Sequence, residues 1–183
     1  VIPLQPVGQP GPEVLDLLRA KTHVPIWLLW PPPAGWVLTG LAYAGDERTG
    51  ACATAVACSG PAPLGGVGDI LLIAEEPGLG LGARFAGLPG PDPGDGFDAG
   101  PPALKLAVAG HPTPLWNVDG GPQAAVFVGE AEALWLWLVL WPANSSLLLL
   151  EDMVIVDLRS RRHDVEPMFG ALTPRLTAGP QAG

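Results

Sequence analysis

His111 is the side chain whose setting most resembles a reactive one. It lies in Ala-Gly-His-Pro-Thr-Pro-Leu-Trp-Asn-Val-Asp-Gly, residues 109–120, with Asp119 eight residues on. A histidine stiffened by a following proline and oriented by a carboxylate can serve as a general acid or base near neutral pH. The same setting suits a histidine that only caps a loop through hydrogen bonds. No second histidine lies nearby, so the stretch predicts no metal site.

Other constellations are thinner. Glu75 and Glu76 follow an apolar run, but adjacent strand residues face opposite ways, so they predict a solvated strand end rather than a working pair. The stretch Gly60–Asp69 has the glycines of a phosphate loop. It lacks the Lys-Ser/Thr ending, and its prolines remove N–H donors. Gly78-Leu79-Gly80-Leu81-Gly82 keeps its donors, and Arg84 adds a positive charge. That makes it a candidate anion site, or simply a flexible loop. No Gly-x-Ser-x-Gly elbow is present, and Ser59 has no base beside it in sequence, which argues against a hydrolase.

Cys52 and Cys58 are six residues apart. On a straight strand they share a face but lie roughly 20 Å apart, too far for a disulfide. The spacing matches no zinc pattern, so small core residues are expected.

Six of the seven tryptophans form two groups: Trp27, Trp30 and Trp36, then Trp135, Trp137 and Trp141. Tryptophan carries a large apolar area and one donor, which suits either a core or a binding face. As a face, Trp27 and Trp30 beside Pro31–Pro33 are the leading candidates, with Trp116 and Arg84 further binding candidates.

The elements that must position these residues are short. Glycine and proline number 25 and 23 in a chain of 183 residues that is 48% hydrophobic. Short elements joined by stiff turns account for both figures. A helix is predicted over 12–22, with Glu13 and Asp16 early and Arg19 and Lys21 late, as the helix dipole prefers. Residues 26–30 are apolar and stop at three prolines. Strands are predicted over 35–44, 51–58, 69–74, 104–109 and 124–128, joined by a turn at 45–50 and a loop at 61–68. Residues 134–141 are apolar at every position and read as a buried strand. Strands over 147–150 and 153–158 complete the set. Residues 78–100 predict an irregular surface loop, 110–121 a loop carrying His111, Trp116, Asn117 and Asp119, and 129–133 a helical turn. The expected architecture is a single strand-dominated α+β domain over 13–172. It has a mostly antiparallel sheet, one or two short helices and long Gly/Pro loops. A proline-rich lead-in, 1–12, and a loose tail, 173–183, flank it.

The formal net charge of −9 repels phosphate backbones and anionic lipid. The only basic cluster is Arg159, Arg161 and Arg162 beside His163, which predicts a solvated surface rather than a nucleic-acid stripe. Residues 133–150 are the most apolar stretch, but Pro142, Asn144, Ser145 and Ser146 interrupt it, so no membrane span is expected. A cytoplasmic location is the default. The first residue is Val1, which suggests a fragment or processed product.

Pro32-Pro33-Ala34-Gly35-Trp36 with Thr39-Gly40, the stretch Ala53–Pro61, Gly110–Trp116, and Leu134-Trp135-Leu136-Trp137 together resemble an actinobacterial family of unknown function. Some of its members carry the label phosphotransacetylase family. The resemblance covers nearly the whole chain. It implies a cysteine-rich, zinc-ribbon-like segment upstream of Pro3–Val7, so zinc is expected there and no cofactor within residues 1–183. No coenzyme A or acyl-phosphate site matches the label. The scarcity of clustered ionisable groups predicts a non-catalytic binding or regulatory module that contacts another protein through Trp27, Trp30 and the His111–Asp119 region. The competing expectation is a small ligand-binding domain or enzyme that uses His111, Asp119 and the Gly78–Arg84 loop. A structural subunit of a homo-oligomer is a third.

Overall fold

The computed structural model describes residues 4–46, 48–160 and 165–177. The strands are β1 (Gln5–Pro6), β2 (Trp27–Trp30), β3 (Val37–Asp46), β4 (Gly50–Pro61), β5 (Val67–Glu75), β6 (Leu104–Val108), β7 (His111–Val118), β8 (Ala125–Ala131), β9 (Leu134–Trp141) and β10 (Val154–Asp157). The helices are α1 (Pro12–Lys21), α2 (Leu81–Phe85), α3 (Pro174–Thr177) and a 3-10 helix, Ala143–Leu150. The strands form one sheet in the order β1-β3-β4-β5-β9-β8-β7-β6-β10-β2. Every strand pairing is antiparallel except β6 with β10. The strand-dominated α+β class expected from sequence is the one observed.

The sheet rolls until its last strand, β2, packs over β4 and β5. Alternation along β9 shows the result: Leu136, Leu138 and Leu140 face the inner layer, while Trp137 and Val139 face an outer one. A strand covered on both faces must be apolar at every position, which is the pattern of Leu134–Trp141. Inside, Trp27 and Leu29 of β2 meet Ile70 and Leu72 of β5 and Ile155 of β10. Leu15 and Leu18 of α1 pack with Ile26, Leu28 and Leu41 in the adjoining inner layer. Outside, a carpet of alanines on β3 and β4 (Ala42, Ala44, Ala53, Ala55 and Ala57) lets Leu81 and Ala83 of α2 and Leu176 of α3 settle close.

Residues 110–121 correct the expectation of a loop. His111–Val118 is a strand, entered by a two-residue turn in which Ala109 and Gly110 have φ of 48° and 83°. In such a hairpin the flanking pair, Val108 and His111, exchanges both hydrogen bonds, so the even-numbered positions of β7 aim their N–H groups away from β6. Pro112 and Pro114 occupy two of those positions and need no partner there. The ladder to β8 accordingly begins only at Trp116. The prolines are thus placed where a strand tolerates them.

Other differences are local. Residues 129–133 are not a helical turn: β8 runs to Ala131, and a tight turn places Glu132 and Ala133 at φ of 55° and 61°. Residues 147–150 belong to the 3-10 helix, not a strand. Within the loop 78–100, α2 forms. The turn at 45–50 has its expected cause: Asp46 Oδ1 accepts N–H bonds from Arg48 and Thr49 at 2.9 and 2.7 Å. Val7 N donates to Leu41 O, and Thr173 N to Thr39 O, so parts of the lead-in and of the expected tail lie on the sheet edge. Residues 178–183, and the Arg161–His163 part of the basic cluster, fall outside the described residues.

Non-glycine residues at positive φ cost about 1–2 kcal/mol. Ala133 is exposed, so nothing but its backbone conformation holds it. Ala133→Gly is therefore expected to stabilise the chain by about 0.5–1 kcal/mol after the added unfolded-state entropy of glycine is deducted. An unchanged or lower urea midpoint would show that the turn is not strained.

Candidate functional site

The candidate acid/base pair does not assemble. His111 opens β7, Asp119 lies just past its other end, and both are exposed. Asp119 Oδ1 instead accepts the Gly121 N–H at 3.0 Å, a local turn.

Most of the tryptophans are structural. Trp27, Trp36 and Trp137 are buried in the two layers, and Trp30 is half-buried at the end of β2. Trp116 fastens the long loop: its Nε1 donates to Gly100 O at 2.9 Å, and its ring meets Phe97 edge-on at 5.8 Å. Phe97 makes a second edge contact with Trp135 at 5.6 Å.

Glu75 is the correction with the largest consequence. It is fully buried, not solvated, because the loop after β5 folds back over the sheet. Its Oε2 accepts the Leu81 N–H at 2.8 Å and its Oε1 the Gly82 N–H at 3.2 Å. Burial raises its pKa, against the lowering effect of those two bonds. The first N–H groups of α2 therefore already hold a carboxylate of the same chain. The candidate anion site at Gly78–Arg84 is filled from within, and Arg84 is left exposed beside a shallow hollow of about 430 Å³. Asp92 pins the same loop, accepting from Gly78 N at 3.1 Å and Trp135 Nε1 at 2.9 Å.

The void beside Leu29, Trp36, Cys58 and Ile70 measures about 10 Å³, the scale of a single water. Burial pushes the Cys58 thiol up to about 12, so it is neutral at physiological pH. Cys52 and Cys58 are both free thiols.

The two ends of the roll differ in character. At one end, Arg159 pairs with Asp157 at 2.8 Å and Glu132 at 3.6 Å, and donates to His23 O at 2.9 Å. His23 Nε2 meets Glu76 at 2.9 Å. These are mutually satisfied pairs, and no group of three or more His, Cys, Asp or Glu among the described residues is set to hold a metal ion.

At the other end, three connections meet: residues 31–36, 62–66 and 142–153. Trp36 Nε1 donates to Pro61 O at 3.0 Å. A side chain on Gly68 would meet Ser145, Trp36 and Trp141 at 3.0–3.1 Å. Trp30 closes β2 there, opposite Val154. The first two contain no charged residue; the third is uncharged as far as Leu150 and then carries the exposed Glu151 and Asp152. Leu64, Val67 and Leu150 are 73%, 77% and 83% exposed, and Leu147 is exposed as well.

Beside this end stands a polar cluster that no sequence motif announces. Ser59 Oγ donates to Asp69 Oδ1 at 2.6 Å and lies 2.7 Å from Thr39 Oγ1. Arg175 Nε donates to Asp69 Oδ2 at 3.1 Å, with its guanidinium 4.4 Å above the Trp141 ring. Asp69 and Arg175 are 106 residues apart, so spacing could not reveal them. No histidine among the described residues hydrogen-bonds Ser59, whose hydroxyl is held by Asp69 and Thr39.

No helix among the described residues is long and apolar enough to cross a membrane. No curated protein and no solved structure matches the chain. A family model does match, over residues 1–176, and the chain accordingly belongs to the family of unknown function DUF6758.

Proposed function

We propose that the chain is a non-catalytic binding module that contacts another protein through the end of its rolled sheet where large apolar side chains are exposed. The observation that carries this reading is the exposure of Leu64, Val67, Leu147 and Leu150 at one end of the roll, with Glu151 and Asp152 following Leu150, in a chain of net charge −9. Apolar patches beside polar surroundings are the usual mark of a protein contact. Trp30 belongs to this end. Trp27, paired with Asp157, is buried toward the opposite end, and Trp116 and Arg84 lie on the loop side. The competing reading, an enzyme or ligand site built on His111 and Asp119, needs two groups within hydrogen-bond reach that stand at opposite ends of β7. The acidic balance still argues against a nucleic-acid partner.

A photo-crosslinking side chain at position 64 or 150, introduced in cells, is expected to yield one discrete adduct. The same group at position 76, on the polar end, is expected to yield none. Leu64→Glu with Leu150→Glu should abolish the adduct formed from position 147. Adducts from position 76 alone, or none from 64 and 150, would sink the reading.

A further inference from the structure

The outer edge of β3 is covered by two segments that belong to no other strand pairing. Residues 5–7 pair with Leu41–Tyr43. Residues 168–173 run along Leu38 and Thr39: Leu38 N donates to Met168 O at 2.7 Å, Gly170 N to Leu38 O at 2.9 Å and Thr173 N to Thr39 O at 2.9 Å. The bridge Leu38–Phe169 is parallel. Gln9 Nε2 donates to Gly170 O at 2.8 Å and links the two covers.

The second cover, residues 168–177, sits in a built groove. A side chain on Gly40 would collide with Leu176, and one on Gly170 with Val37, so absent side chains shape the slot. Leu176 fills it, packed with the alanine carpet. Arg175, one residue earlier, takes Asp69 from above while stacking on Trp141. Thr173 Oγ1 adds a contact of 3.4 Å to the same carboxylate.

The hold of this strap is slight beside the site it fills. From Met168 to Leu176 only Thr173 and Leu176 are buried, and Met168 is 75% exposed. The Arg175–Asp69 pair is partly solvated, hence weakened by salt. Segments with few buried side chains open well below the global unfolding free energy. Once open, Leu38 and Thr39 present free backbone groups, a slot over Gly40 and the Asp69 carboxylate. An exposed strand edge with a side-chain slot is how sheet proteins capture extended peptides.

We propose that the β3 edge is a peptide-binding groove, masked in the free chain by its own residues 168–177. Its partner is a protein segment that runs along Leu38 and Thr39 and then enters a helical turn bearing a basic residue followed by a leucine-sized one. The strap supplies that chemistry, because it is the shape and charge the groove already accepts. The end proposed as the protein contact adjoins the groove through Trp141, on which Arg175 stacks. This inference rests on the reading of the chain as a protein-binding module and narrows the partner.

The test uses the full chain and a fluorescent synthetic peptide of residues 168–177. The chain carrying Arg175→Ala and Leu176→Ala has a loosened strap and should bind the peptide at least about tenfold more tightly than wild type, whose groove is mostly closed. A peptide with alanine at the arginine position should bind about tenfold more weakly. Equal binding to both chains, or equal binding of both peptides, would overturn the proposal. If the doubly substituted chain does not fold, hydrogen exchange on wild type decides. Gly170 and Thr173 amides exchanging at least about tenfold faster than those of Leu71 and Leu72 support the groove, and equal rates overturn it. Wild-type dimers in sedimentation, without peptide binding, would show strap exchange between copies and also overturn it. Because crosslinking at 64 and 150 does not depend on the strap, module and groove can fail separately.

Discussion

Trp137→Ala is expected to lower folding stability by about 3–5 kcal/mol. Trp137 lies on β9 near the middle of the sheet order, fully buried in the outer layer with Leu81, Ala83 and Val139. Its ring lies where a side chain on Gly82 would otherwise go, so α2 approaches the sheet only because residue 82 is glycine. Removing the indole leaves a cavity that the short helix cannot close without breaking its bonds to Glu75. Small domains are stable by only about 5–15 kcal/mol, so the loss is a large part of the whole. Trp30→Ala, at a half-buried position, should cost clearly less. Urea denaturation monitored by circular dichroism gives both values. A loss below about 1 kcal/mol for Trp137→Ala would mean that the outer layer is not packed as described.

Glu75→Ala is expected to cost about 2–3 kcal/mol. The substitution leaves two buried N–H groups, those of Leu81 and Gly82, without an acceptor, at about 1–3 kcal/mol each. Relief from burying a carboxylate offsets part of that. Hydrogen exchange should quicken first at Leu81 and Gly82, because the loop is released before the sheet. The pH dependence follows from the raised pKa of Glu75. Above the ordinary value of 4.5, the folded chain holds a proton that the unfolded chain has lost. Its contribution to stability is thus complete below 4.5 and is lost as pH rises through the folded value. Glu75→Gln cannot titrate. The stability of wild type relative to Glu75→Gln should therefore fall from pH 4 toward pH 8. A rising or flat difference would contradict the burial of this carboxylate.

Much of the fold was legible along the chain. Leu134–Trp141 reads as a strand buried on both faces because every position is apolar, and the sheet covers both. The helix at Pro12 starts at a proline and ends on basic residues, and α1 does so within one residue of the expected end. The segment around His111 misled because proline signals a break. Whether a strand tolerates proline depends on which way its missing N–H would point, and only the pairing to β6 decides that. The 3-10 helix over Ala143–Leu150 was missed for a similar reason: a run of leucines suits a strand or a helix equally.

The candidate site was less legible than the fold. His111 and Asp119 look like partners when counted in residues, but an extended strand of eight residues holds its ends far apart. Glu75 looks solvated next to Glu76, and becomes buried only when a distant glycine-rich loop returns to it. Asp69 and Arg175 carry no local signal at all.

Composition and pattern by themselves determined a strand-rich chain, its apolar sheet centre, its stiff turns and its acidic balance. These properties depend on side-chain polarity and on the backbone limits of glycine and proline, which act within a few residues. Tertiary structure alone decided that the sheet rolls, that Glu75 closes the would-be anion site, and that residues 168–177 mask an edge of β3. Each of those rests on a contact between residues that only folding brings together, through close packing and the need of every buried polar group for a partner.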